Sequence, residues 1–123
     1  MGIIREFFLG FIKIHILYHA SLSPICGVEM IDELKRHGYQ VSPGLLYPTL
    51  HSLERSGYLK KQKRIVKGKV RKYYMITQKG LQIFEEAKQK IKELVEEVIN
   101  ERDRNSLIGL NEVAEKMHKK ASI

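Results

Sequence analysis

The chain has no tryptophan, a single cysteine and only three prolines in 123 residues. One cysteine, Cys26, excludes an internal disulfide and points to a reducing compartment. Long apolar runs are missing too. The most apolar stretch, MGIIREFFLGFIKIHILYHA, is interrupted by Arg5, Glu6, Lys13, His15 and His19. It is too broken for a bilayer-spanning helix and lacks the ordered regions of a signal peptide. A cytoplasmic, soluble protein with no membrane partner is expected. No glycine-rich phosphate loop, paired-carboxylate motif or nucleophile elbow is found, so neither an enzyme nor a cofactor is expected. Acid is also short: 14 acidic residues stand against 22 basic ones, for a formal net charge of +8 and a pI near 9.6. Such a balance suggests nucleic acid or an anionic surface as partner.

Hydrophobic residues make up 43% and charged residues 29%, ordinary globular values. Residues 3–20 predict a first helix that is apolar nearly all round, with Ile4, Phe8, Phe11, Ile12, His15 and His19 on one face. Ile3, Phe7, Ile14 and Leu17 cover much of the other side. A helix of this kind is buried on more than one side, and in so small a chain a second subunit is the simplest cover. Ser23-Pro24 reads as an N-cap with proline at the first helical position, opening a second helix that runs to about His37 and stops at Gly38. Ser42-Pro43 repeats the device and opens a third helix, ending at Gly57. Two short helices on a tight link suggest a helix-turn-helix. Ile65-Val66 and Val70 to Ile76 are β-prone around Lys67-Gly68-Lys69, a hairpin signal. Thr77 then caps a long helix, 78 to about 101, whose Phe84, Ala87, Ile91, Leu94 and Val98 have coiled-coil spacing. Asp103 to Asn105 breaks that pattern, and Leu107, Leu110, Val113 and Met117 suggest a further amphipathic helix.

The expected fold is mainly α with a small β-hairpin: a winged helix-turn-helix followed by a long dimerisation helix. The winged-helix domain would be 1–77, including the first helix, and the helical dimerisation region 78–123.

On the third helix, Leu46, Leu50 and Leu53 share the core face. Gly44, Tyr47, Pro48, His51, Ser52 and Arg55 point away, and Ser42 and Pro43 stand at the start, where free backbone N–H groups favour a phosphate. From Lys60 to Lys72 eight of thirteen residues are Lys or Arg and none is acidic. A solvated charge run normally mixes in acid, so this one suits a polyanion and steeply salt-dependent binding. The expected DNA contacts are His51 and Ser52 on base edges, Gly44 at a close approach, and Arg55, Tyr47, Arg71 and Lys72 on phosphates. Lys67, Gly68 and Lys69, at the hairpin tip, would lie in or along a minor groove.

The elements Pro24-x-x-Gly27, SPGLLYPTLHSLERSGYL over 42–59 and RKYYMIT over 71–77 resemble the PadR family of transcriptional regulators over residues 9 to about 100. The resemblance implies a winged-helix homodimer, usually a repressor, built on the first and last helices and bound to double-stranded DNA at a pseudo-palindromic operator. It also implies that Tyr47 and Tyr74 lie near the DNA backbone. Phe7, Phe8, Phe11, Ile12 and His15 would join Phe84, Ala87, Ile91, Leu94 and Val98 in the subunit interface. Some members hold flat aromatic compounds between subunits on tryptophans. Without tryptophan, a small apolar or aromatic effector would rest on Phe7, Phe8, Phe11 and His15, residues of a kind that more often forms simple interface core.

Two further readings concern single groups. His15 and His19, one helical turn apart, could hold a metal with a third ligand from Cys26, His37 or His118, which would make a metal-responsive regulator; no metal is expected. Cys26 at a helix start is a reactive thiol if exposed and inert if buried. A winged-helix adaptor that binds proteins rather than DNA is the other alternative.

Overall fold

The computed structural model describes residues 2–101. Helix α1 spans Ile3–Leu22, strand β1 Ile25–Cys26, helix α2 Gly27–Arg36 and helix α3 Pro43–Arg55. Strands β2 Leu59–Val66 and β3 Lys69–Ile76 follow, then helix α4 Gln78–Leu94 and a π-helical stretch, Val95–Glu101. The fold is therefore mostly helical with a small antiparallel sheet, as the sequence suggested. The contacts divide the chain into one unit ending at Glu86 and a second beginning at Ala87. No helix among the described residues is long and apolar enough to cross a membrane. The amphipathic helix expected around Leu107 to Met117 lies outside the described residues.

Local chemistry sets most boundaries. The Ser42 hydroxyl accepts a hydrogen bond from the Leu45 N–H at 3.3 Å, and Pro43 fills the first position of α3. Helix α2 ends through Gly38 at φ 87°, with the Tyr39 N–H bonded to the Leu34 carbonyl at 3.0 Å. Helix α3 ends the same way through Gly57 at φ 82°, with the Tyr58 N–H on the Leu53 carbonyl at 2.9 Å. Both are glycine-terminated Schellman turns, which satisfy carbonyls the helix leaves open. Thr77 caps α4 as expected: its hydroxyl accepts from the Gly80 N–H at 3.0 Å and donates to the Gly57 carbonyl at 2.5 Å. One side chain thus ties the end of α3 to the start of α4.

The start of the second helix differs from the expectation. It begins at Gly27, not after Ser23, and Cys26 is its N-cap, whose own N–H is bonded by the Glu29 carboxylate at 3.2 Å. That hydrogen bonding with Cys26 holds the Glu29 carboxyl below its ordinary pKa. Ile25 and Cys26 are drawn into extended form because they pair with Tyr74 and Tyr73 of β3. The sheet order is β1-β3-β2. Strands β2 and β3 run in register from Leu59 opposite Ile76 to Val66 opposite Lys69. Lys67 and Gly68 both take positive φ, 52° and 77°, the two-residue turn whose twist matches that of a hairpin. The long last helix also departs from its expected form: α-helical winding ends at Leu94.

The core gathers one stripe from each element of the first unit: Ile12 and Ile16, Met30 and Leu34, Leu46, Leu50 and Leu53, then Leu59, Tyr74 and Phe84. The outer hairpin contributes nothing to it. Its residues from Lys60 to Ile65 and from Lys69 to Lys72 are exposed, so the hairpin projects from the packed base.

Candidate nucleic-acid interface

The leucines of α3 face inward, and turning by 100° per residue puts the opposite stripe at Gly44, Pro48, His51 and Arg55. All four are exposed, as are Ser42 and Pro43. Among the described residues nothing requires glycine at position 44, since an added Cβ would meet only the Ser42 hydroxyl at 3.7 Å. Its bareness is left available to an outside partner. Ser52 is displaced from this stripe. It is half-buried and shares a cleft with Gly44 and Pro48 of that stripe and with Leu9 and Lys13 of α1.

Tyr47 sits on the other flank of α3. Its ring lies over the first residue of α2, so close that a Cβ on Gly27 would fall 2.5 Å from the Tyr47 hydroxyl oxygen. The same ring shares a groove with Lys69, Arg71 and Lys72 of the hairpin. The start of α2, the flank of α3 and the basic strand β3 therefore converge on one surface. Sequence alone placed Gly27 in a motif without a reason for it; the contact with Tyr47 supplies the reason.

The hairpin carries its charge outward. Lys67, Gly68, Lys69, Arg71 and Lys72 are exposed, and among the described residues Lys67, Lys69 and Lys72 have no ion pair. Lys61 reaches Glu54 of α3 at 3.5 Å, and Arg64 lies 4.8 Å from the centre of the Tyr73 ring. The first contact links the hairpin to α3; the second joins its two strands.

Three residues fall elsewhere than the sequence led us to expect. Tyr74 does not lie on a DNA-facing surface, because it is 1% exposed: it occupies the central strand, between Ile25 of β1 and Lys61 of β2, and faces the core. Burial also pushes its phenol pKa up. Ile12, at 1% exposure, and Phe84, at 7%, belong to the protomer's own core rather than to an open subunit face. Phe7 and Phe8 remain exposed, with Phe7 against Phe11 at 4.6 Å and Phe8 against Tyr39 at 4.9 Å. In the second unit Leu94 and Val98 are exposed, and Ala87 and Ile91 are half-buried.

His15 and His19 are joined by His37, the C-cap of α2, while Cys26 is buried at the opposite end of that helix. His118 lies outside the described residues. Desolvation by burial lowers the pKa of His15, aided by His37 and His19. Burial does the same to His19, opposed by Glu33 and aided by His37.

Comparison with known proteins matches residues 16–86 to the transcriptional regulator PadR-like family. The chain is 43% identical over 95 residues to transcriptional regulator Rv3488 of Mycobacterium tuberculosis, covering 77% of this chain and 89% of that one. The X-ray structure of a PadR-like transcription factor from Bacteroides fragilis is 28% identical, with a TM-score of 0.71 over 80% of this chain and 96% of its own. A PadR-like transcriptional regulator from Bacillus cereus is 34% identical, with a TM-score of 0.69, covering 74% and 90% respectively. With its winged-helix elements, its basic hairpin and these relatives, the chain belongs to the PadR-like family of transcriptional regulators.

Proposed function

We propose that the protein is a cytoplasmic homodimeric repressor that binds double-stranded DNA at a pseudo-palindromic operator. Each subunit lays α3 in a major groove and the hairpin beside it, and two-fold symmetry sets half-sites about one helical turn or more apart. The observation that carries this reading is the meeting of Tyr47, Arg71 and Lys72 around one groove beside the outward stripe of α3. His51 faces base edges. Arg55, Tyr47, Arg71 and Lys72 hold phosphates, and Lys67 and Lys69 follow the minor groove. Residues 1–77 act as the DNA-binding part and 78–123 as the dimerisation part. Exposed Phe7 and Phe8 on α1, with Leu94 and Val98 in the second unit, supply apolar surface for the partner subunit. An aromatic or apolar effector would enter at Phe7, Phe8 and Phe11.

The test is a titration with the DNA upstream of the protein's own gene at two salt concentrations. Binding should weaken by roughly a thousandfold or more between about 50 and 200 mM salt. No binding at the lower salt would favour a protein-binding adaptor instead.

A further inference from the structure

We propose that His15, His19 and His37 form a transition-metal site that clamps α1 to the C-terminal end of α2. One ligand atom from each lies within 4.8 Å of the others. A tetrahedral ion with metal–nitrogen bonds of about 2.0–2.1 Å holds its donors about 3.3 Å apart. The widest ring separation is that of His15 and His19, 6.4 Å between centroids, so closing the site needs side-chain turns on α1 as well as at His37, which is exposed at a helix end.

The strongest independent sign is an orphaned atom. His19 is only 9% exposed, and its Nε2 is buried with no hydrogen-bond partner among the described residues. Ring packing accounts for some of the arrangement: the His15 and His37 rings are 4.6 Å apart, and His15 also meets Tyr39 at 5.1 Å. Packing alone leaves that nitrogen without a partner among the described protein groups, which is unfavourable for a buried polar atom. A bound cation would satisfy it.

Glu33 stands beside the cluster without belonging to it. It lines one cavity with His19 and His37 and acts electrostatically on His19. Its ion pair with Arg36, 2.9 Å long, is at the surface and is easily exchanged. Three imidazoles, with water in the fourth position, select zinc, cobalt, nickel or copper over magnesium and calcium. None of these residues belongs to the outward stripe of α3 or to the hairpin. Because His37 immediately precedes Gly38 and the short link to α3, occupancy would stiffen the entry to α3. Any effect on DNA rests on the proposed DNA binding; metal uptake itself does not.

The experiment is zinc titration of the metal-stripped full chain against a chromophoric chelator, with thermal unfolding in parallel. The wild type should take one ion per chain and unfold at higher temperature with zinc. His37→Ala should lose at least about 100-fold in affinity and show no thermal gain. His15→Ala, half-buried in the wild type, should behave alike, and bound cobalt should give the visible absorption of tetrahedral coordination. Equal zinc affinity in wild type and His37→Ala, or a magnesium response as large as that to zinc, would overturn the site. DNA titration with and without zinc is read separately, so failure of DNA binding leaves the metal result standing.

Discussion

At the scale of single residues, glycine shows how differently one amino acid can be used. An added Cβ at Gly80 would run into the backbone carbonyl of Tyr58 and lie 2.7 Å from Ile76. Backbone there cannot give way, because the Thr77 N–H is bonded to the same carbonyl at 3.0 Å. At Gly27 the obstruction is the far end of the Tyr47 side chain, which is partly exposed and free to swing. Gly80→Ala should therefore destabilise by about 3 kcal/mol and Gly27→Ala by about 1, measured by denaturant unfolding. Gly27→Ala should still weaken DNA binding by displacing Tyr47. Equal losses of stability would mean that the contact at Gly80 relaxes. The caps at Ser42 and Thr77 were readable in sequence because each acts within three residues. Neither the Gly27–Tyr47 nor the Gly80–Tyr58 contact was, since those partners lie some twenty residues apart along the chain.

Among elements, α3 carries the clearest conflict between local and outside needs. Pro48 sits inside the helix, on the outward stripe, and offers no N–H to the Gly44 carbonyl. Pro48→Ala should raise stability by about 1 kcal/mol or more, since alanine restores that bond, while weakening DNA binding. Unchanged DNA affinity would show that the proline serves the fold alone. The hairpin was legible from its charges and its glycine, and α3 from its leucine spacing. Strand β1 was not, because its two residues become extended only by pairing with β3. The same pairing explains the misplacement of Tyr74. Neighbours on a strand point to opposite faces, so it is Tyr73 that takes the Arg64 guanidinium while Tyr74 enters the core. The histidine cluster was legible in part: His15 and His19 announce themselves by spacing, but His37 stood level with Cys26 and His118 as a third member, and its place beside them follows only from the packing of α2 on α1.

For the whole molecule, net charge and architecture point the same way. The formal charge of +8 is concentrated on a hairpin that the core does not need, beside a helix whose outward stripe is nearly free of acid. A second subunit would double that charge and give two such faces related by symmetry. The most direct test compares wild type with the variant carrying Lys67→Ala, Lys69→Ala, Arg71→Ala and Lys72→Ala, titrating operator and random DNA across a salt series. All four side chains are exposed, so the fold should survive. Binding to both DNAs should weaken alike, with a salt slope shallower by up to about 7 for the dimer. An unchanged slope, or a loss confined to the operator, would contradict the assignment of these residues to sequence-independent contacts with the phosphates and the minor groove.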